Sequence, residues 1–311
     1  YTRVRGVPLF RLNDSIAAIN IGVLSQITGI LLKLLTIGAY SWVWEHVSVR
    51  AVWPGVVWPE GTPFVWASGF PWFGVRIPEL VSWSVAFVLV DIAYYWTHRM
   101  SHEVHLLWAG HVVHHSSQEY NLAVALRQSA LHGLFVWLLY LPLAVLGVPV
   151  VMWVVCHGLN LIYQFWIHTR AVGRLSPWAE KVLNTPSHHR VHHGVNPKYQ
   201  DRNYAGVFIT WDRLFGTFVE EEEEPVYGIT HPLRTWNPLW ANLHVFVDIW
   251  HLFWLTRGWR NKWRVLFGSP NWRPPEAGLP IVPPEVTVDN LQKFDPEIPR
   301  GLVRYVVVQF G

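Results

Sequence analysis

The stretch LFVWLLYLPLAVLGVPVVMWVVCHGLNLIYQFWI, residues 134–167, contains no Asp, Glu, Lys or Arg. A membrane-spanning helix needs about 20 apolar residues, with about 17 at the short end. This stretch is therefore long enough for two short spans, and Leu146-Gly147-Val148-Pro149 is the expected turn between them. Two crossings would return the chain to the membrane face from which it started.

Two further apolar runs precede this stretch. Residues 16–44 carry one charged side chain, Lys33, and residues 80–97 carry only Asp91. Tryptophan and tyrosine crowd the ends of the runs, as they do in the aromatic belts of membrane proteins. A buried bundle in a large soluble enzyme is the alternative, but runs of this length favour an integral membrane protein with about four helical spans.

Composition excludes several other classes of protein. The 24 Lys and Arg against 21 Asp and Glu give a net charge of only +3, so no nucleic-acid partner is expected. The single cysteine, Cys156, excludes a disulfide framework, a cysteine-rich zinc site and an iron–sulfur cluster. The hydrophobic share of 51% excludes disorder.

The rest of the chain divides by composition. Residues 52–79 are broken by prolines and are expected to form a loop or re-entrant piece at the interface. Residues 220–224 are an acidic run, and residues 239–256 are an aromatic helix that packs on the core or lies at the interface. The chain begins with Tyr1 rather than Met, so an upstream segment is expected to be missing. We predict an N-terminal membrane segment with an interfacial loop (1–79), a catalytic core (80–235), an amphipathic helix (236–268) and a proline-rich surface tail (269–311).

Eight of the 17 histidines fall into three short clusters. An H-x-x-H-H string is expected about 0.05 times by chance in a chain of this composition, yet it occurs twice. The clusters are His98 and His102; His111, His114 and His115; and His189, His192 and His193.

The spacing within each cluster has a direct structural meaning. Residues three and four apart lie on the same face of a helix, so each cluster presents a row of imidazoles to one side. Imidazole is a good ligand for Zn, Cu, Fe and Ni, and eight such ligands suit two ions with four each. The sequence therefore predicts a dinuclear site.

The predicted spans bring the three clusters to one membrane face. The first cluster follows the span 80–97, the second follows on the same side, and the chain then crosses twice before the third. Basic residues around the clusters indicate the cytoplasmic side. We therefore predict an all-α, multi-span membrane bundle with a cytosolic helical cap that holds the dimetal site. Haem ligation by two histidines is disfavoured, because it would need histidines in the middle of a span.

Other histidines have individual interpretations. His168 closes the last apolar stretch and is either a ninth ligand or an interfacial hydrogen-bonding residue. His188 is expected to support the ligands from outside, and His105 and His132 to pack or lie at the interface. His157, in an apolar span, is a buried hydrogen-bonding residue or part of a substrate tunnel.

Histidine-bound divalent metals serve two main chemistries, hydrolysis at zinc and oxygen activation at iron. The zinc-protease motif H-E-x-x-H is absent, because Leu106 stands where its second histidine would be. Two metal ions favour oxygen activation, because splitting O₂ requires several electrons stored close together at a site sheltered from water. A tunnel within the bilayer would deliver an inert alkyl chain, which only such an oxidant attacks. A metal transporter or a structural zinc protein is the alternative from another class; transporters place their ligands within the membrane rather than beyond the span ends.

The three histidine clusters, in this order and with two spans between the second and third, resemble those of the fatty acid hydroxylase/sterol desaturase superfamily of membrane di-iron enzymes. Longer strings resemble the branch of that superfamily that acts on alkylglycerols. They are YYWTHRMSHE (94–103), WAGH (108–111), HSS (115–117), YNL (120–122), ALRQS (125–129), YQFWIHT (163–169), NTPSHHRVHHG (184–194), NYAG (203–206) and WDRLFGTF (211–218).

The resemblance covers about residues 80–235. It implies two iron ions, O₂ as co-substrate and tetrahydrobiopterin as the reductant, with a separate electron-donor protein as another option. It also implies hydroxylation of the ether-linked carbon of an alkylglycerol, which releases a fatty aldehyde and a glycerol derivative. A sterol or other lipid hydroxylase or desaturase is the alternative within the superfamily. The expected location is the bacterial inner membrane or the endoplasmic reticulum, with the site on the cytoplasmic face.

On the same resemblance, Glu103 is a candidate catalytic residue, since it directly follows His102. It would orient a ligand or transfer a proton during O–O cleavage. The alternative is an ion pair with Arg99, one helical turn earlier. Asp212 and Asn203 are weaker candidates for supporting the ligands, and capping or turn roles are open for both.

Overall fold

The computed structural model describes residues 3–4, 7–49, 70–72, 75–77, 79–278, 286–287, 290–297 and 299–310. The fold is all-helical, apart from two short antiparallel hairpins and two isolated bridges within this part of the chain. Most of the predicted interfacial loop, residues 52–79, lies outside the described residues.

The elements follow one another in this order. The helices are α1 (Leu12–His46), α2 (Glu79–Glu103), α3 (His105–His115), α4 (Leu122–Ala125), α5 (Gly133–Val136), α6 (Leu141–Val145), α7 (Val150–Ile167), α8 (Pro177–Val182), α9 (Pro186–His192), α10 (Thr210–Phe215), α11 (Pro238–Leu255), α12 (Trp259–Phe267) and α13 (Arg300–Phe310). Short 3-10 helices cover Trp137–Tyr140 and Pro275–Ala277. Strand β1 (Arg3–Val4) pairs with β2 (Val7–Pro8), and β3 (Phe70–Trp72) with β4 (Val75–Ile77).

Two of the described helices are long and apolar enough to cross a membrane, α1 and α7. Both carry exposed large apolar side chains, among them Ile27 and Leu31 on α1 and Ile162 on α7. The predicted span 80–97 lies within α2. Residues 134–145 form a broken helix within Gly133–Val145, which is shorter than the roughly 20 residues of a span. The count of four spans therefore stays a prediction.

The apolar core joins α1, α2, α6 and α7. The ring of Tyr40 stacks on Trp153 with ring centroids 4.3 Å apart, and its hydroxyl donates to the carbonyl of Val148 at 2.9 Å. The predicted turn between the two apolar halves lies here, and Gly147 has a φ of +90°, which favours glycine. These contacts fix the end of α1 against the start of α7.

Asp91 ties α2 to the loop that follows the third histidine cluster. Its carboxylate is fully buried and accepts from the backbone N–H groups of Val207 at 2.8 Å and Phe208 at 3.1 Å. It also accepts from Trp211 Nε1 at 2.8 Å and Asn160 Nδ2 at 2.5 Å. The one acid in the apolar run 80–97 is therefore satisfied by donors, as a buried charge must be.

The aromatic helix predicted over 239–256 is α11. It packs against α3 and α12, and it buries Ala241 and Ile249 while leaving Trp250 and Trp254 exposed. The described part of the tail is partly anchored, because the Lys293 ammonium lies 2.7 Å from the Glu119 carboxylate. The tail also contains a helix, α13, that composition did not indicate.

Candidate metal centre

Nine buried histidines converge in two neighbouring groups. The first group is His98, His102, His111, His115 and His192, and the second is His114, His168, His189 and His193. Within each group, one ring nitrogen of every member lies within 4.8 Å of one nitrogen of every other member. Four helices supply them, namely α2, α3, α7 and α9, with His168 and His193 directly after the last residues of α7 and α9.

The H-x-x-H-H string contributes to both groups at once. On α3, His111 and His115 are one turn apart and join the first group, whereas His114 turns into the second. At α9 the arrangement is reversed, with His189 and His193 in the second group and His192 in the first. A helix advances by about 100° per residue, so offsets of four share a direction and the offset of three is turned away. Each string therefore links the two groups.

Backbone carbonyls fix the outer nitrogens of four rings. The Nδ1 atoms of His168, His98 and His192 lie 2.7, 2.8 and 2.9 Å from the carbonyl oxygens of Gln164, Tyr204 and Arg202. The Nδ1 atom of His114 is 3.3 Å from the carbonyl of Arg127. A carbonyl oxygen only accepts, so these Nδ1 atoms carry the proton. The Nε2 lone pairs consequently point into the groups, as in metal-bound histidine.

Several of these nitrogens face one another at short range. The Nε2 atoms of His168 and His189 are 3.0 Å apart, and those of His168 and His114 are 3.2 Å apart. In the first group, Nε2 of His111 lies 3.1 Å from that of His98 and 3.2 Å from that of His115. Facing lone pairs, such as those of His168 and His114, repel unless a cation lies between them.

The donor set fits a divalent metal. Nitrogens about 2.1 Å from one ion and separated by 3.0–3.2 Å subtend roughly 90–100° at that ion, which is ordinary coordination geometry. The Nε2 atoms of His102, His192 and His193 are buried and have no hydrogen-bond partner. Leaving such atoms unpaired is unfavourable by about 1–3 kcal/mol each, and bound metal would satisfy them.

Burial keeps five of the nine rings neutral. Desolvation, reinforced by the neighbouring imidazoles, lowers the pKa values of His111, His115, His192 and His193 well below the usual range. Burial also lowers the pKa of His168 to about 4. Neutral imidazole is the form that binds metal, so these five rings are in the ligand state at pH 7.

The arrangement differs from the expected four ligands per ion, since five histidines form one group and four the other. His168, the candidate ninth ligand, lies in the second group. His188 turns away, with Nε2 2.9 Å from the Glu180 carboxylate, and Nδ1 of His105 is bonded to the carbonyl of Val265. The ring of His132 packs against the ring of His111, and its Nε2 atom is hydrogen-bonded to the Ser101 hydroxyl at 3.0 Å.

Asp212 and Asn203 hold the loop next to the first group. The buried Asp212 carboxylate accepts from the backbone N–H groups of Tyr204 and Ala205, both at 2.8 Å. This contact positions the Tyr204 carbonyl that orients His98. Asn203 donates to the carbonyl of His188, which precedes His189. Both residues thus support the groups through the backbone.

Glu103 is not brought into either group. Its carboxylate accepts from Nε of Arg99 at 2.8 Å, and the side chain is 43% exposed. These contacts match the ion pair that was the alternative interpretation. A catalytic role for Glu103 therefore stays a prediction that the geometry does not favour.

Asp201 is the acid that sequence reasoning missed. Its carboxylate oxygen Oδ1 lies 3.6 Å from Nδ1 of His102, on the side of the ring away from the unpaired Nε2. Asp201 has a φ of +56°, a left-handed conformation that Asp and Asn tolerate better than most residues. This turn directs a carboxylate toward a member of the five-histidine group.

In the part of the chain that the structure describes, a cavity and a smaller opening reach the groups. A cavity of about 940 Å³ has an inner end lined by His98, His111, His114 and His168, and its other walls come largely from apolar residues of α1 and α7. Several of these are exposed on the outer surface, including Ile27, Ile30, Leu161 and Ile162. A smaller opening of about 120 Å³, lined by Trp108 and Asp201, reaches His102, His115, His192 and His193.

Comparison with known proteins gives a consistent result. Residues 83–217 match the Fatty acid hydroxylase family. The chain is 42% identical over 310 residues to the alkylglycerol monooxygenase of Homo sapiens, covering 99% of this chain and 64% of that protein. The same-named proteins of Xenopus tropicalis and Danio rerio are 41% and 38% identical, over 98% and 97% of this chain and 63% of each relative. The chain thus spans less than two thirds of these relatives, and no solved structure matches it.

Replacement of His168 tests the second group. We expect His168→Ala to lower the metal bound per chain by roughly half, because the group falls from four nitrogens to three. Elemental analysis of iron-loaded, detergent-purified protein measures this. His105→Asn is the matched control, since it keeps a donor for the Val265 carbonyl outside both groups. Unchanged metal content in His168→Ala would exclude this histidine as a ligand.

Replacement of Asp201 tests the outer support of the first group. We expect Asp201→Asn to keep the left-handed turn but weaken metal binding by about tenfold, because the carboxylate beside His102 loses its charge. A chelator-competition titration measures the affinity. Glu222→Gln, an exposed acid paired with Lys198, serves as the control. Equal affinities in the two variants would show that Asp201 has no such role.

Proposed function

Because residues 83–217 match the Fatty acid hydroxylase family and the chain is 42% identical to an alkylglycerol monooxygenase, we propose that it is a membrane monooxygenase that hydroxylates the ether-linked carbon of alkylglycerols. The observation that carries this proposal is the large cavity, whose inner end consists of histidines from both groups and whose outer walls are apolar and exposed. The names of the relatives supply the substrate class.

The cavity suits an alkyl chain that enters from the lipid phase. Its volume of about 940 Å³ lies in the usual range of sites for small-molecule ligands. Val23 and Ile27 of α1 line one wall, and Leu161 and Phe165 of α7 line another. These walls exclude water from the reacting carbon, which protects the oxidant from side reactions.

The two histidine groups are proposed to hold two iron ions. Iron bound there would supply the redox and Lewis-acid chemistry of O₂ activation. The chain's own residues hold the ions, since Tyr204, Gln164, Arg127 and Arg202 fix the ligand rings through their carbonyls. The balanced reaction is R–H + O₂ + 2e⁻ + 2H⁺ → R–OH + H₂O.

Hydroxylation next to an ether oxygen has a defined outcome. The carbon then carries both a hydroxyl and an alkoxy group, which is a hemiacetal. Loss of the hydroxyl proton and protonation of the glycerol oxygen break the C–O bond. The products are a fatty aldehyde and a free glycerol hydroxyl.

The proposed topology has about four spans with the histidine groups at the cytoplasmic face. The two apolar helices α1 and α7 support membrane insertion. Arg170 and Arg174, directly after α7, support the orientation, since basic residues favour the cytoplasmic side. The host membrane is proposed to be the bacterial inner membrane or the endoplasmic reticulum, and the electron donor a reduced pterin or a donor protein.

Product analysis tests the proposal. Iron-loaded protein is incubated with an alkylglycerol and O₂, with and without tetrahydrobiopterin, and the lipid products are identified. We expect fatty aldehyde only when the pterin is present. Hydroxylated sterol or fatty acid, from parallel incubations, would support the other lipid hydroxylases of the family instead. A protein with tightly bound zinc and no lipid-stimulated O₂ uptake would contradict the whole class.

A bulky side chain in the cavity tests its role. We expect Leu161→Trp to lower kcat/KM for a long-chain alkylglycerol by at least about tenfold, because displacing the reacting carbon by about 1 Å is that damaging. Metal content should not change. Leu159→Trp, on the same helix and exposed but not among the cavity walls, is the control. An equal loss in both variants would contradict the assignment.

A further inference from the structure

A second large cavity lies beside the histidine groups. Its volume is about 990 Å³. It shares none of its lining residues with the 940 Å³ cavity that ends at His98, His111, His114 and His168, here called the alkyl cavity. Its walls are mixed, and they carry more charged side chains than those of the alkyl cavity. They include Arg170, Arg190, the acidic run 221–224, Tyr227 and Lys293.

Two stacked tyrosines connect this cavity to the second histidine group. Tyr227 lines the cavity, and its ring lies parallel to that of Tyr120, with centroids 4.8 Å apart and planes inclined by 10°. The Tyr120 centroid is 5.1 Å from the ring of His193 and 5.8 Å from that of His168. Aromatic rings in contact therefore run without interruption from the cavity to the group.

The Tyr227 hydroxyl is buried and has no hydrogen-bond partner among the described residues. The side chain as a whole is 6% exposed. Tyr120, by contrast, donates to the carbonyl of Ile167 at 3.1 Å. An unpaired buried hydroxyl is unfavourable, so a ligand that accepts or donates a hydrogen bond at Tyr227 removes that cost.

The cavity walls carry planar side-chain groups, and the guanidinium group of Arg190 is held in place by hydrogen bonds. Arg190 is fixed by two bonds to the Glu221 carboxylate, at 2.6 and 2.7 Å, and by bonds to the carbonyls of Thr169 and Val172. The guanidinium carbon of Arg170 lies 6.0 Å from the centroid of the Tyr227 ring. Guanidinium and phenol groups around an open volume suit a flat heterocycle with several N–H and C=O groups.

We propose that this cavity binds the reductant of the monooxygenase, a small fused-ring heterocycle that donates two electrons, and that Tyr227 and Tyr120 carry those electrons to the second histidine group. The inference rests on the proposed function. The balance is donor-H₂ + O₂ + R–H → donor + R–OH + H₂O. The donor loses two electrons and two protons; one oxygen atom enters the C–H bond and the other leaves as water.

The tyrosines act as a conducting contact, and Tyr120 keeps its proton. The Ile167 carbonyl, which accepts from the Tyr120 hydroxyl at 3.1 Å, cannot take up its proton. Electronic coupling falls steeply across gaps between atoms, and stacked rings shorten those gaps. The ring, not the hydroxyl, is therefore what electron transfer needs at position 120.

The first experiment measures donor binding without turnover. Tetrahydrobiopterin is titrated anaerobically, without lipid substrate, into the iron(II)-loaded full chain by calorimetry. We expect Tyr227→Phe to weaken binding about fivefold to tenfold, the effect of one hydrogen bond, and Tyr227→Leu to weaken it further. Lys198→Gln changes a basic residue paired with the same acidic run but outside the cavity walls, and should bind as the wild type does.

The second experiment measures electron delivery to iron-loaded protein by stopped-flow absorbance. We expect reduction by the pterin to be near normal in Tyr120→Phe and at least tenfold slower in Tyr120→Leu. Reduction by dithionite, a small reagent that does not need the cavity, should be similar in both. Iron content, determined for each variant, shows whether the second group is intact.

Two results would overturn the inference. One is pterin binding that is unchanged in Tyr227→Leu, which would place the donor elsewhere or make it a protein. The other is pterin-driven reduction that is equally fast in Tyr120→Phe and Tyr120→Leu with normal iron. Failure of the proposed function looks different, because dithionite would then support no lipid hydroxylation even in the wild-type chain.

Discussion

The structure depends on one electrostatic constraint, which is that nine imidazoles share a small buried volume and that His98, His114, His168 and His192 are held with their Nε2 lone pairs turned inward. Facing lone pairs repel, as those of His168 and His114 do across the 3.2 Å between their Nε2 atoms. Such an arrangement is tolerable only around cations. The carbonyls of Tyr204, Gln164, Arg127 and Arg202 prevent the rings from turning away, so the protein holds the lone pairs in place for the metal.

Much of this site follows from the sequence because helical geometry is local. The H-x-x-H-H strings at 111–115 and 189–193 predicted rows of imidazoles, and the structure brings both rows together with His98 and His102. The division into five and four did not follow. It depends on how α3 and α9 are rotated against each other, and rotation is set by tertiary packing rather than by spacing.

The features that sequence reasoning missed share the same cause. Asp201 lies 99 residues beyond His102, and the turn that directs its carboxylate is visible only in the fold. Tyr120 and Tyr227 are 107 residues apart and stack only after the chain has folded. Composition likewise located the apolar run 134–167, but it did not indicate that the first half of this run would be a broken helix. Long-range contacts such as that of Tyr120 with Tyr227 leave no periodic pattern in the sequence.

The exposed apolar residues that α1 and α7 contribute to the cavity have a kinetic consequence for the proposed lipid substrate. A substrate that enters past these residues approaches by diffusion in the plane of the bilayer. Its effective abundance is then a mole fraction of the surrounding lipid, and not a concentration in water. Inert lipid or detergent added to such a system dilutes the substrate in two dimensions, so half-saturation values carry meaning only when the ratio of substrate to total amphiphile is stated.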